Sequence, residues 1–134
     1  MKYNGIIENK LRLIEQKLEE INSWNIDSFE KLNGSTLLQN ATERALQVAI
    51  ELMIEISERI LALNKVPSQV AASSNFIKLQ EIGVIKQAGK YIDMVKFRNF
   101  IVHRYEKIDL EIVYGIIKKK LNLFSQFIED IRSQ

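Results

Sequence analysis

The sequence predicts an all-α protein, an up-down antiparallel bundle of the four-helix type with one or two additional short helices. Three observations carry that expectation. The chain has 134 residues with only 5 Gly and 1 Pro, too few for the tight turns of an all-β protein of this length. Apolar residues recur at helical spacing almost throughout. Hydrophobic residues make up 46% and charged residues 27%, a composition that folds around a core. The length suits a single domain over residues 1–134.

The elements follow in order. Ile7, Leu11, Ile14, Leu18 and Ile21 step by four and three, which draws one stripe along a helix from about Asn4 to Trp24. Asn25 and Asp27 offer cap chemistry before a short segment around Phe29 and Leu32. Asn33-Gly34 breaks that segment, and Ser35 or Thr36 can cap the next helix. This is the longest, about Thr36 to Leu63, with Leu38, Ala41, Ala45, Val48, Leu52, Ile56, Ile60 and Leu63 as its inner stripe. Asn64 to Ser68 holds the proline and ends it. A helix from about Ser74 to Ile85 uses Phe76, Ile77, Leu79 and Ile82, with Gly83 near its end. Ala88-Gly89 leads into a helical stretch from Tyr91 to about Val102. Asp109 reads as the N-cap of one last helix, striped by Leu110, Val113, Ile117, Leu121, Phe124, Ile128 and Ile131. Ile6, Leu13, Leu37, Leu46 and Met53 lie off the main stripes, so they mark either a wide core face or a partner surface.

Two counts exclude whole classes of chemistry. With Cys 0 there are no disulfides, thiolate zinc sites or cysteine nucleophiles. With His 1 there is no histidine cluster for a metal, so neither a metal nor a cofactor is expected. The first residues, Met1-Lys2-Tyr3-Asn4-Gly5, lack the apolar core of a signal peptide, and no apolar run reaches the roughly 20 residues of a membrane span. The expectation is a soluble cytoplasmic protein with no membrane partner. The net charge of +2 is only mildly basic, but Lys86, Lys90, Lys96, Arg98, Arg104 and Lys107 gather between 86 and 107 with only Asp93 and Glu106 against them.

That stretch also concentrates the reactive residue types. Phe97-Arg98-Asn99-Phe100-Ile101-Val102-His103-Arg104-Tyr105 contains the single histidine, two arginines, an asparagine and a tyrosine. A histidine moves protons near neutral pH, and an arginine fork fits phosphate oxygens. Together they suit chemistry on a phosphodiester. In metal-free RNA cleavage a base deprotonates the 2′-hydroxyl, a cation stabilises the charged transition state, and an acid protonates the leaving 5′-oxygen. Two proton-transfer groups are wanted and the chain has one histidine. A two-fold dimer would supply the second. Arg98 and His103 stand five apart, about 140° around a regular α-helix, so His103 is expected at or just beyond a helix C-terminus.

Arg98-Asn99-x-x-x-His103-x-Tyr105 resembles the Arg-x4-His motif, extended by His-x-Tyr, of the HEPN superfamily, and more narrowly its HepT-like toxin branch. Glu43-Arg44-Ala45-Leu46-Gln47-Val48-Ala49-Ile50-Glu51 on the long helix is similar to that branch, as are Asp93 to Phe97 before the motif and Ile108 to Tyr114 after it. The resemblance runs from about residue 4 to the C-terminus. It implies a small helical bundle that dimerises with the motif in a shared cleft, and the partner expected is a second copy of the chain, as a homodimer or a higher oligomer. It implies a metal-independent ribonuclease toxin, with a minimal nucleotidyltransferase as antitoxin that transfers AMP to the motif tyrosine. On that basis Arg98 and His103 are catalytic, Asn99 supports the polar cleft, and Tyr105 is the residue modified.

Plainer readings stand beside these. Arg98 could pair with Asp93 or Glu43, Tyr105 could be a packing residue, and Asn99 could bridge backbone groups. Glu43-Arg44 could be an interface or intrahelix pair, and Lys118-Lys119-Lys120 a solvated face. The alternative function is a non-catalytic nucleotide- or RNA-binding accessory subunit of a minimal nucleotidyltransferase.

Overall fold

The computed structural model describes residues 3, 5–102 and 109–134, and the side chains of 99–102 lie outside that description. Among the described residues there are seven helices: α1 (Ile6–Ser23), α2 (Phe29–Asn33), α3 (Thr36–Leu63), α4 (Ala72–Glu81), α5 (Ala88–Val102), α6 (Leu110–Lys119) and α7 (Leu121–Arg132). The all-α expectation is met, with α1, α3, α5 and α7 as the four long members and three short helices beside them.

Side-chain pairs fix the directions. Lys10 Nζ, early in α1, meets Glu55 Oε2, late in α3, at 2.8 Å, so these two helices are antiparallel. Arg132, at the end of α7, reaches back to Glu8 at the start of α1. The Tyr91 hydroxyl, at the start of α5, donates to Asp130 Oδ2 at 2.7 Å. One pole of the bundle therefore gathers the starts of α1 and α5 and the ends of α3 and α7. The short α2 and α6 pack on each other at the opposite pole, where Phe29 meets Tyr114 edge-on at 6.0 Å.

The helix ends obey local chemistry. The Ser35 side chain accepts from Leu38 N–H and caps α3, while Ser28, rather than Asn25 or Asp27, caps α2 by accepting from Lys31 N–H. Asp109 caps α6 as its sequence suggests, accepting from Glu111 N–H at 2.9 Å. Gly83 closes α4 at φ +83°, with Val84 N–H donating to Leu79 C=O and Gly83 N–H to Gln80 C=O. Lys65 takes the equivalent left-handed position after α3, at φ 59°.

Three expectations change. The last helix is two helices, because the chain kinks at Lys120, φ −125° and ψ 0°. A straight rod could not both cover α2 and run back along α1 and α5, and α6 and α7 divide those tasks. The inner face of α3 is rotated and broader than the predicted stripe. Leu46, Ala49, Ile50 and Met53 are buried, whereas Leu63 is exposed. A central helix packed against α1, α2, α4 and α5 has little outward face, so a single stripe under-counts it. Finally, the off-stripe residues divide: Leu46 and Met53 belong to the core, while Ile6, Leu13 and Leu37 are exposed.

Arg132 clamps the closing helix. Its Nη2 lies 2.8 Å from both Glu8 Oε1 and Glu15 Oε1, and Nη1 reaches Glu15 Oε2 at 3.0 Å. The hydrogen bond from this guanidinium holds the Glu15 carboxyl below its ordinary pKa. A depressed carboxyl pKa stabilises the fold fully above the ordinary carboxylate range, and that stability is lost as pH falls through the folded value. Arg132→Met is expected to lower thermal stability at pH 7 by on the order of 1 kcal/mol, modest because solvent reaches the pair. The gap between variant and parent should narrow in melts taken at pH values that fall through and below the ordinary carboxylate range.

Candidate active site

The motif begins on α5, whose Tyr91, Met94, Val95 and Phe97 are buried against the rest of the bundle. This packing fixes the rotation of the helix, and with it the position of Arg98 one residue past Phe97. Arg98 is half-buried. Its Nε is buried and has no hydrogen-bond acceptor. Among the described residues no ion pair joins it to Asp93 or Glu43, and Asp93 is exposed. The structural pairing that the sequence left open is therefore not made. An arginine held in place without a protein carboxylate can take an external anion, and the geometry of its fork favours phosphate.

The side chain of Asn99 and all of His103 and Tyr105 lie outside the described residues. The chain is described again from Asp109, at the start of α6.

The basic run from 86 to 107 is not one patch. Lys90 belongs to the far pole, where its Nζ donates to Gln126 Oε1 at 2.6 Å and lies 5.2 Å from the Tyr91 ring. Lys86 and Lys96 are exposed. A helix of α5's length spreads its charges over more than 20 Å, which a count along the sequence cannot show. The Lys118, Lys119 and Lys120 side chains are exposed at the end of α6. Lys118 lines an open cleft of about 600 Å³ with Asn22, Asn25 and Asp27. Glu55 pairs with Lys10 and Glu58 is exposed, as surface charges. Among the described residues no group of His, Cys, Asp or Glu could hold a metal ion, and no helix is long and apolar enough to cross a membrane.

Glu43 is the residue whose setting the sequence concealed. It is adjacent to Arg44, but the helix turns them apart: Arg44 is exposed and Glu43 is only 5% exposed. The available signal was its spacing of seven from Ile50, which is fully buried on the same stripe.

The whole described architecture is shared with known proteins. A family model described as Ribonuclease HepT-like matches residues 8–131. The chain belongs to the HepT-like ribonuclease family. This HepT-like chain is 28% identical over 133 residues to the mRNA nuclease HepT of Shewanella oneidensis, covering 98% of the chain and 99% of that protein. It is also 28% identical over 130 residues to the tRNA nuclease HepT of Aphanizomenon flos-aquae, covering 96% and 88%. Among solved structures it superposes, at TM-score 0.90 and 27% identity, on the tri-AMPylated Shewanella oneidensis HEPN toxin in complex with MNT antitoxin, over 98% of this chain and 100% of that one. A cytosolic Bacillus subtilis protein of unknown function shares the HepT-like fold at TM-score 0.81 with 18% identity.

Proposed function

We propose that this protein is a metal-independent endoribonuclease toxin that works as a homodimer and is neutralised by a nucleotidyltransferase antitoxin. The observation that carries the proposal is a half-buried Arg98 with no counter-ion among the described residues, at the head of an intact Arg98-x4-His103-x-Tyr105 motif in a chain that matches the mRNA nuclease HepT over 98% of its length. Two relatives of the chain are an mRNA nuclease and a tRNA nuclease, which supports RNA as the substrate class.

The mechanism follows from the residues. His103 of one protomer takes the proton of a ribose 2′-hydroxyl, and the 2′-oxygen attacks the adjacent phosphorus. Arg98 neutralises the charge that builds on the phosphate oxygens. His103 of the second protomer gives a proton to the departing 5′-oxygen. The products are a 2′,3′-cyclic phosphate and a free 5′-hydroxyl, and no metal takes part. Asn99 supports the polar cleft. Tyr105 lies two residues past the base in sequence. An AMP group on its hydroxyl places bulk and a negative phosphate where the RNA phosphate binds, and Arg98 is then occupied by the wrong anion.

Co-expression with a minimal nucleotidyltransferase tests the neutralisation. Intact-mass and peptide spectra should show AMP additions on Tyr105, and the modified protein should no longer cleave RNA. Tyr105→Phe should carry no AMP and escape neutralisation. AMP found on another residue would remove Tyr105 from this role. An unmodified dimer that binds RNA without cutting it would favour the accessory-subunit function instead.

A further inference from the structure

The cleft that Lys118 lines has no part in the mechanism above. It is open, about 600 Å³, and lies between the last turn of α1, the loop to α2 and the last turn of α6. Its floor is apolar, since Ile21 and Ile26 are buried there and Ile117 is partly buried. Its rim is polar and carries the exposed Asn22, Asn25, Asp27 and Lys118.

The rim side chains are uncommitted while the backbone beneath them is tied down. The Lys31 ammonium donates to the backbone carbonyls of Trp24 and Asn25, and the Tyr114 hydroxyl to that of Asp27 at 3.5 Å. The loop is thus held through its carbonyls, and the Asn25 and Asp27 side chains remain available. Among the described residues none of the four rim side chains makes a side-chain hydrogen bond or an ion pair. Lys118 Nζ lies 5.8 Å from the Tyr114 ring, and the exposed Lys119 and Lys120 follow it.

Three chemistries meet here. An apolar floor takes the face of a nucleobase. Two carboxamides and a carboxylate supply donors and acceptors for the edge of an unpaired base. The ammonium of Lys118 meets a phosphate, and the two lysines after it continue a cationic track along a strand. The Asp27 carboxylate repels a phosphate, so the base belongs on the loop side of the cleft and the phosphate on the α6 side. The geometry points to an accessory subsite that holds one unpaired nucleotide of a single-stranded RNA, its base over the isoleucine floor and its phosphate on Lys118. Tyr91 is tied to Asp130 at the far pole, and α5 runs from there toward the pole that holds this cleft. The inference rests on the ribonuclease function proposed above for the identity of the strand.

The test is binding of a short oligoribonucleotide of mixed sequence, 2′-O-methylated so that it has no attacking hydroxyl and stays whole. Titrated into the full-length protein labelled with nitrogen-15, it should shift the backbone amides of Asn22, Asn25 and Asp27 and the side-chain amides of both asparagines. Lys118→Ala should weaken binding by about fivefold or more and flatten the slope of log affinity against log salt by about 0.7, the share of one phosphate contact on a single strand. Lys86→Ala removes the same charge from an exposed site before α5, outside the cleft, and should bind as the parent does. Both lysines are exposed, so both variants should fold. Cleft amides that stay still, or equal losses in the two variants, overturn the inference. So does AMP that saturates the same amides as tightly as the oligonucleotide, because the cleft would then serve a free nucleotide. The titration needs no cleavage, so it stands apart from the ribonuclease proposal, which fails instead if His103→Ala still cleaves.

Discussion

Arg98→Ala is expected to lower RNA cleavage by about 10²–10³-fold in kcat, the loss seen when one preorganised donor is removed from a developing anion. His103→Ala is expected to cost about 10²–10⁴-fold, the range of a general acid or base. The parent activity should survive EDTA, because the composition offers one histidine and no cysteine for a metal. Single-turnover cleavage of a defined RNA with the purified dimer measures all three. Arg98→Lys separates charge from shape: a lysine keeps the cation but loses the fork, so it should recover only part of the rate. The fold should tolerate these changes, since Arg98 makes no ion pair within the described protein. Cleavage that needs a divalent ion, or that persists in either alanine variant, would end the proposed mechanism.

The second large effect is on stability. Phe127 of α7 is fully buried between Phe76 of α4 and Tyr91 of α5. Its ring centroid lies 6.0 Å from Phe76 and 5.3 Å from Tyr91, both edge-to-face, the favoured geometry for aromatic pairs. Phe127→Ala is expected to cost about 3–5 kcal/mol, from lost burial and from the cavity left behind. That is a large share of the roughly 5–15 kcal/mol that holds an ordinary domain together. The thermal midpoint by circular dichroism should fall by roughly 10 °C or more. Phe127→Leu should cost much less, because it keeps most of the volume. A small shift in the alanine variant would mean that α7 is not part of the cooperative core.

The cluster also explains Tyr91. Burial pushes its hydroxyl pKa up, and the hydrogen bond to Asp130 adds to the effect, so it stays protonated as a donor. It ties the start of α5 to the end of α7 and so sets the height at which Arg98 emerges. The stability of the pole and the position of the site are linked through one helix.

Much of this was legible along the chain. The stripe Ile7, Leu11, Ile14, Leu18 and Ile21 is buried at every position, because a peripheral helix has one inward face and its period is fixed by the backbone. The Ser35 and Asp109 caps were readable, because a side-chain oxygen three or two residues from a free N–H is a local event. The motif Arg98-x4-His103-x-Tyr105 and the family it points to were readable, since both lie in the order of residues. Other features were not. The break at Lys120 has no glycine or proline to announce it, and it exists because α6 and α7 must cover different neighbours. The phase of α3 depends on four partners at once. The basic run looked continuous in sequence, yet α5 carries Lys90 to the pole opposite the motif. Sequence by itself determined the helical class, the caps and the chemistry available, because each depends on near neighbours or on composition. Only the tertiary structure decided that Arg98 has no carboxylate partner among the described residues and that Glu43 is buried, because burial and long-range distance arise when separate helices pack.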